Sequence, residues 1–398
     1  MHTMGATAQT GEEEPLDDHG VLMTDPNLDS PVRRTVMADP STRSGRIRDR
    51  RIQRSVPLSA PRELMEEIPL SDVHAEVLLR GRADVQGVLR GEDDRLLVVV
   101  GPCSVHDVDA TREYAERLSE EAAEYDEDLC IAMRVYFEKP RTTIGWKGLI
   151  NDPHLDGSSD VNTGLRMARR LLVQVLGVGL PVGCEFLDPI TPQYISDAVC
   201  WGAIGARTVE SQIHRQLGSG LSMPVGFKNR TDGDVQVAVD AVRAAGVGHA
   251  FAGIDDEGTP AILYTTGNAD CHLILRGGRS APNYDAASVR SACERLRAVG
   301  LPERVMIDLS HDNSGKRPER QPDVAREVGD QIATGDGRIV GVMIESFLVE
   351  GRQDHDPANP DRPLVYGQSI TDGCIGWEQT VEVLDGLAQA VRARRERS

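Results

Sequence analysis

Long apolar runs are missing from this chain of 398 residues. None approaches the roughly 18 residues that a membrane-spanning helix needs, so no span is expected. Positive charge is also scarce. The 44 Lys and Arg are outnumbered by 63 Asp and Glu, giving a net charge of -19. Nucleic acid and anionic membrane surfaces both reward clustered cations, so neither is an expected partner. A cysteine framework is absent too. The seven cysteines are odd in number and fall in or beside apolar runs, which fits a reducing cytoplasm better than a disulfide scaffold. The N-terminus has neither the basic start nor the apolar core of a secretory signal, and a cytoplasmic location is expected.

What is present is a regularity. Eight short apolar runs each end in a charged or metal-liganding residue. They are Leu96–Val100 before Cys103, Ile131–Met133 before Arg134, Val182–Cys184 before Glu185, and Ala203–Ala206 before Arg207. Pro224–Phe227 before Lys228, Cys271–Leu275 before Arg276, Val305–Leu309 before His311 and Val340–Ile344 before Glu345 complete the set. Continuous apolar runs are what strands buried on both faces look like, as in a parallel sheet wrapped by helices. Stretches of helical period lie between them: Ala110–Glu124, Asn162–Leu176, Val235–Ala245, Ser288–Val299, Gln321–Ile332 and Glu378–Arg395. Strand–helix alternation repeated eight times predicts an α/β fold closed as a (β/α)8 TIM barrel. In such a barrel, reactive groups stand at the C-terminal ends of several strands. Any one of these residues alone could be an ordinary solvated strand end; eight together predict one convergent site.

Residues 1–45 read as a disordered tail, acidic at first and then Arg-rich towards Arg50, Arg51 and Arg54. Residues 46–95 should form an N-terminal arm and helices, with a helix start at Pro61–Ile68, and 96–398 the catalytic barrel. A hairpin at about 250–266 is predicted between the fifth and sixth βα units. Its strands are Phe251–Ile254 and Ile262–Thr265, turning through Asp255-Asp256-Glu257-Gly258.

The strand-end residues sort into two chemical sets. Cys103, His311, Glu345 and Asp372 offer thiolate, imidazole and carboxylates. That mixture suits a divalent transition ion such as Mn, Fe, Co or Zn, not Ca or Mg. Arg134, Lys139, Arg141, Arg207, Lys228 and Arg276 form the second set. Six cations converging on one pocket would repel one another, so they predict a polyanionic substrate with more than one phosphoryl group. In Lys139-Pro140-Arg141-Thr142, the proline fixes the backbone so that Arg and Thr face one anion.

At these residues the chain resembles the type I (microbial) 3-deoxy-D-arabino-heptulosonate 7-phosphate (DAHP) synthases, which begin the shikimate pathway. The resemblance is carried by Gly101-Pro102-Cys103-Ser104, by Met133 through Thr142 with Gly145-Trp146-Lys147-Gly148, and by Gly205-Ala206-Arg207-Thr208. It continues through Pro224–Asn229, Leu275-Arg276-Gly277-Gly278, Ser310-His311, Gly341–Ser346 and Ser369-Ile370-Thr371-Asp372. It implies condensation of phosphoenolpyruvate with erythrose 4-phosphate, releasing phosphate. It implies metal ligation by Cys103, His311, Glu345 and Asp372. Phosphoenolpyruvate would be held by Arg134, Arg207, Lys228, Arg276 and Lys139, with Glu185 at the substrate site. Erythrose 4-phosphate would be received by Lys139, Pro140, Arg141 and Thr142. Lys139 is the expected proton donor, with Cys103 and His311 as further catalytic groups. The family's arm and hairpin form an aromatic amino acid feedback site, matched here by Asp49, Phe186, Pro192, Leu217, Leu221, Ser222, Phe251 and Gly253. The small Gly253 favours tyrosine as effector. Relatives are dimers or tetramers, so a homo-oligomer is expected. Arg48 and Gly373 depart from the usual residues, and the acidic tail is unmatched. The competing readings are a 3-deoxy-manno-octulosonate 8-phosphate synthase, a Schiff-base aldolase using Lys228 or Lys139, and a non-catalytic metabolite sensor.

Overall fold

Each apolar run forms a strand. In chain order these are β1 (Leu96–Gly101), β2 (Leu129–Arg134), β3 (Val182–Glu185), β4 (Trp201–Ile204) and β5 (Val225–Lys228). After them come a hairpin of β6 (Ala250–Ile254) and β7 (Pro260–Tyr264), then β8 (His272–Leu275), β9 (Val305–Asp308) and β10 (Ile339–Glu345). Eight of the strands close in the order β1-β10-β9-β8-β5-β4-β3-β2, all parallel, and the antiparallel hairpin stands outside the closure. The computed structural model describes residues 47, 50–141, 145–356 and 363–397. It comprises two units, Met1–Leu58 and Ser59–Ser398, and the barrel lies in the second. The expected tail at 1–45, together with Arg48, Asp49 and Thr142, falls outside the described residues.

Alternation along each strand divides the barrel wall between two cores. Leu97 and Val99 turn inward to join Cys130, Ala132, Trp201, Ala203, Ile274, Met306 and Met343. Leu96, Val98 and Val100 turn outward against the surrounding helices. One end of the inner core is closed by the helix Asp72–Arg90, through Val85, Val88 and Leu89. Burying each of these side chains is worth roughly 1.5–3 kcal/mol. The helix starts on Ser71, whose Oγ accepts from His74 N, and stops at Gly91, which takes the left-handed conformation at φ 72°. A side chain at Gly81 would meet Pro181 and Cys200 at 3.0 Å or less, so a glycine is needed for this close approach. The C-terminal helix Trp377–Arg395 latches the same end, with Arg392 and Arg395 both paired to Asp128 at 2.6 and 2.7 Å. With that end closed, the strands' C-terminal ends are the open mouth.

Two excursions matter for that mouth. After β10 the chain forms β11 (Val349–Arg352) and β12 (Gln368–Ser369), then returns to the end of β10. There Ile375 N donates to Glu345 O at 3.0 Å, and Phe347 N donates to Ile375 O at 2.9 Å. This return is what places Asp372, from far down the sequence, beside Glu345. The hairpin is tied to the rest of its unit by Arg62 N, which donates to Asp256 O at 2.8 Å, and by the Ser219–Thr265 hydroxyl pair at 2.7 Å.

Candidate active site at the open end of the barrel

A cavity of about 230 Å³ opens among the strand ends, lined by residues from seven separate segments. Lys139, Pro140, Arg141, Glu185, Arg207, Lys228, Arg276, His311 and Asp372, all singled out from the sequence, are on its wall. Gly205, Ala206, Thr231 and Lys316 join them. The chain has only four lysines, Lys139, Lys147, Lys228 and Lys316, and three of them line this cavity.

Beneath the wall lies the thiol and carboxylate set. Ligand atoms of Cys103, Glu345 and Asp372 all fall within 4.8 Å of one another. His311 stands just beyond them, its Nε2 3.7 Å from Glu345 Oε1. Its other ring nitrogen, Nδ1, is 2.8 Å from Asp308 Oδ2. A carboxylate behind an imidazole is the usual way to orient a histidine that offers its remaining nitrogen to a metal. Thiol, imidazole and two carboxylates together fit a borderline divalent ion.

The carboxylate of Glu345 is fully shared: Oε1 accepts from Arg134 at 2.8 Å and Oε2 from Ser310 Oγ at 2.8 Å. Burial would push this acid up. Contacts with His311, Arg134 and Lys139 outweigh it and hold Glu345 at about 2. Asp308 behaves alike: burial opposes ionisation, but His311 and Lys228 keep it well below the usual carboxylate range. Burial pushes the Cys103 thiol up and Glu345 adds to this, while Lys139 opposes both. Lys139 Nζ lies 3.1 Å from the Cys103 sulfur and 3.1 Å from its carbonyl.

Arg134 differs in position from the other cations. It is fully buried, donates to the carbonyls of Pro102 and Cys103 at 3.1 Å each, and stacks 3.6 Å from the ring centre of Tyr136. It braces Glu345 from behind instead of lining the cavity. Cys103 and Glu345 are buried in the same way.

Three asparagines that the sequence did not single out hold the strand ends in register. Asn229 Oδ1 accepts from Arg276 N at 2.8 Å, and Asn283 Oδ1 accepts from Gly277 N at 2.7 Å. Asn313 donates to Leu275 O at 3.1 Å and Asp308 O at 2.8 Å. His311 and Lys316, flanking the tight turn after β9, both take positive φ (52° and 59°), and Lys316 N donates to His311 O at 2.6 Å. Gln321 is fully buried; its amide accepts from Glu345 N at 3.0 Å and donates to Glu345 O at 2.9 Å. Glu138 accepts from Thr191 Oγ1 at 2.9 Å, fastening the Lys139–Arg141 segment to the loop after β3. Burial, helped by Asp188, raises its acid to about 7. Asn283, Asn313, Lys316 and Gln321 carry no mark of these roles in the sequence, whereas Asp308 stands out as an acid set inside an apolar run.

The residues matched to a feedback site differ in burial. Phe186, Leu217 and Leu221 are buried in the larger core and Pro192 is buried too, whereas Ser222 is exposed. Phe251 and Gly253 are half-buried on one face of the hairpin. A Cβ at Gly253 would meet Leu263 Cδ1 at 2.6 Å.

Comparison with known proteins agrees with this geometry. A profile described as the DAHP synthetase I family matches residues 67–385. A phospho-2-dehydro-3-deoxyheptonate aldolase of Corynebacterium glutamicum is 55% identical over 342 residues, covering 85% of this chain and 93% of that protein. A phospho-2-dehydro-3-deoxyheptonate aldolase of Escherichia coli, named Phe-sensitive, is 54% identical, covering 87% of this chain and 98% of its own length. The solved phospho-2-dehydro-3-deoxyheptonate aldolase of Francisella tularensis superposes with a TM-score of 0.83 at 50% identity, covering 86% of this chain and 98% of that one. The chain therefore belongs to the DAHP synthetase I family.

Proposed function

We propose that this chain condenses phosphoenolpyruvate with erythrose 4-phosphate and water to give 3-deoxy-D-arabino-heptulosonate 7-phosphate and inorganic phosphate. The observation that carries the reading is the joining of a cation-lined cavity to a thiol, imidazole and carboxylate set at one barrel mouth. Arg207, Lys228 and Arg276 line one cavity, which suits the phosphoryl and carboxylate groups of phosphoenolpyruvate. Lys139, Pro140 and Arg141, on the segment after β2, would receive the phosphate of the aldehyde substrate. Cys103, His311, Glu345 and Asp372 would hold a divalent ion (Mn, Fe, Co or Zn). When bound, such an ion supplies Lewis-acid polarisation of the aldehyde oxygen.

Carbon–carbon bond formation leaves an alkoxide where the aldehyde oxygen was. Lys139 would protonate it: burial alone would lower its affinity for a proton, but Cys103 and Glu345 more than offset this and keep it charged. Water then adds at C2 of the former phosphoenolpyruvate, and phosphate departs with its bridging oxygen by C–O cleavage. The guanidinium and ammonium groups already on the phosphoryl oxygens stabilise the leaving anion.

An aromatic amino acid is the proposed feedback effector, and the hairpin region its site. Gly253, half-buried on the hairpin beside Leu263, is the residue proposed to favour tyrosine among the three aromatic amino acids. The outward hairpin face, with Ile262 and Tyr264 at 65% and 80% exposure, is consistent with a homo-oligomer. No described helix is long and apolar enough to cross a membrane, and a cytoplasmic location is part of the proposal.

Phosphate release from the two substrates tests the reading. Turnover should require both, stop with a chelator, return with Mn or Co, and fall with phenylalanine, tyrosine or tryptophan. Equal or faster turnover with arabinose 5-phosphate would favour the octulosonate synthase; borohydride trapping of substrate on a lysine would favour the Schiff-base aldolase.

A further inference from the structure

Three cations at the site each meet a carboxylate of the chain itself. Arg134 meets Glu345 at 2.8 Å, Lys228 meets Asp308 at 3.1 Å, and Arg276 meets Asp312. The first two acids are sealed, with side chains fully buried, and each has a second partner: Ser310 for Glu345 and His311 for Asp308. Asp312 differs, with its side chain 15% exposed. Its partner Arg276 lines the cavity, whereas Arg134 does not.

The pairing is built into the backbone. Gly277, next to Arg276, takes φ 77°, and a Cβ there would strike the Asp312 carbonyl carbon at 2.7 Å and Asn313 N at 2.6 Å. The loops after β8 and β9 therefore touch main chain to main chain. Asn283 locks them further, accepting from Gly277 N at 2.7 Å while its own N–H donates to Asn313 Oδ1 at 2.8 Å. Asp312 is thus held against Arg276 before any substrate arrives.

We propose that Asp312 is an internal counter-ion that competes with the substrate's phosphoryl group for Arg276, setting phosphoenolpyruvate affinity and helping phosphate leave. This rests on the anion-binding reading of the cavity given above. An arriving phosphoryl group must displace the carboxylate or bind beside it, and either weakens its hold. When phosphate departs, Asp312 takes Arg276 back, so the guanidinium is never left uncompensated.

The test is calorimetric titration of the full chain with inorganic phosphate, alongside steady-state kinetics, on wild type, Asp312→Asn, Asp312→Ser and Asp312→Glu, each checked first by thermal melting. The two neutral variants should bind phosphate about three- to ten-fold tighter, the worth of one partly buried charge. The KM for phosphoenolpyruvate should fall in step, and Asp312→Glu should stay near wild type. Serine covers the case in which asparagine disturbs the turn. Unchanged or weaker phosphate binding in folded neutral variants, with normal wild-type turnover, overturns the counter-ion role. A wild-type chain that neither binds phosphate nor turns over the substrate pair overturns the functional reading as well.

Discussion

Replacing Gln321 by Met keeps the length of the side chain and removes its amide. In the native chain that amide accepts from Glu345 N at 3.0 Å and donates to Glu345 O at 2.9 Å, wholly out of solvent. The two losses are not equal. Glu345 O also accepts from Ile375 N at 3.0 Å and keeps that partner. Losing one of its two bonds costs about 0.5–1.5 kcal/mol, whereas the Glu345 N–H, which loses its acceptor in a dry site, costs about 1–3 kcal/mol. A total near 2–4 kcal/mol corresponds to a melting point lower by about 3–6 °C for a folded unit of this size. The effect on function should exceed the effect on stability, because Glu345 is a candidate metal ligand. Loosening a group that orients a ligand weakens metal binding by about 10- to 100-fold. Scanning calorimetry and titration of the metal-free chain with Mn or Co measure the two quantities separately. A melting point within about 1 °C of wild type, with unchanged metal affinity, would refute the reasoning.

Gly205→Ala would place a Cβ 2.6 Å from Glu185 Oε1, so Glu185 must move. Since small displacements in an active site are costly, kcat/KM should fall by about ten-fold or more with little change in melting point, and normal kinetics would count against a role for Glu185. Glu138, raised to about 7 mainly by burial with help from Asp188, is neutral in the folded chain at low pH. Its folded value lies above its unfolded one, so stability is lost as pH climbs from about 4.5 to 7, by up to about 3 kcal/mol. Glu138→Gln should therefore gain stability over wild type across that window and hold the gain above it; a pH-independent difference in denaturant unfolding would contradict this. His272 has the opposite sign, lowered to about 4 by burial beside Trp201, whose indole N–H donates to it at 3.1 Å. Stability should fall as pH drops from about 6.5 towards 4, and this acid sensitivity should shrink in His272→Gln, with Trp201 fluorescence as the readout.

The barrel was legible because its strands are buried on both faces, and such strands announce themselves as unbroken apolar runs. Strand ends were less so. The run assigned to Ala203–Ala206 begins two residues earlier, at the bulky Trp201, and Arg207 sits in the turn beyond the strand instead of at its tip. The helix Asp72–Arg90, which closes the inner core, does not stand out in the sequence by itself, since its buried face is defined only once the barrel exists to meet it. Charge and liganding ability marked the cavity residues. Residues that position others left no such mark: Gln321, Asn283 and Asn313 are ordinary polar residues whose role comes from meeting a backbone group far away in sequence. Arg134 shows the limit of sorting by residue type. Residue type groups it with the cavity cations, but burial and its bond to Glu345 set it behind the carboxylate.

The concentration of lysine in one place has a practical side. Apart from the amino terminus, the chain carries four primary amines, three of them on the wall of the cavity proposed to take the substrates. Reagents that couple through amines, whether dyes, cross-linkers or activated resins, have few places to go other than Lys147 and the chemical centre itself. Anchoring the protein through its many surface carboxylates would leave that centre untouched.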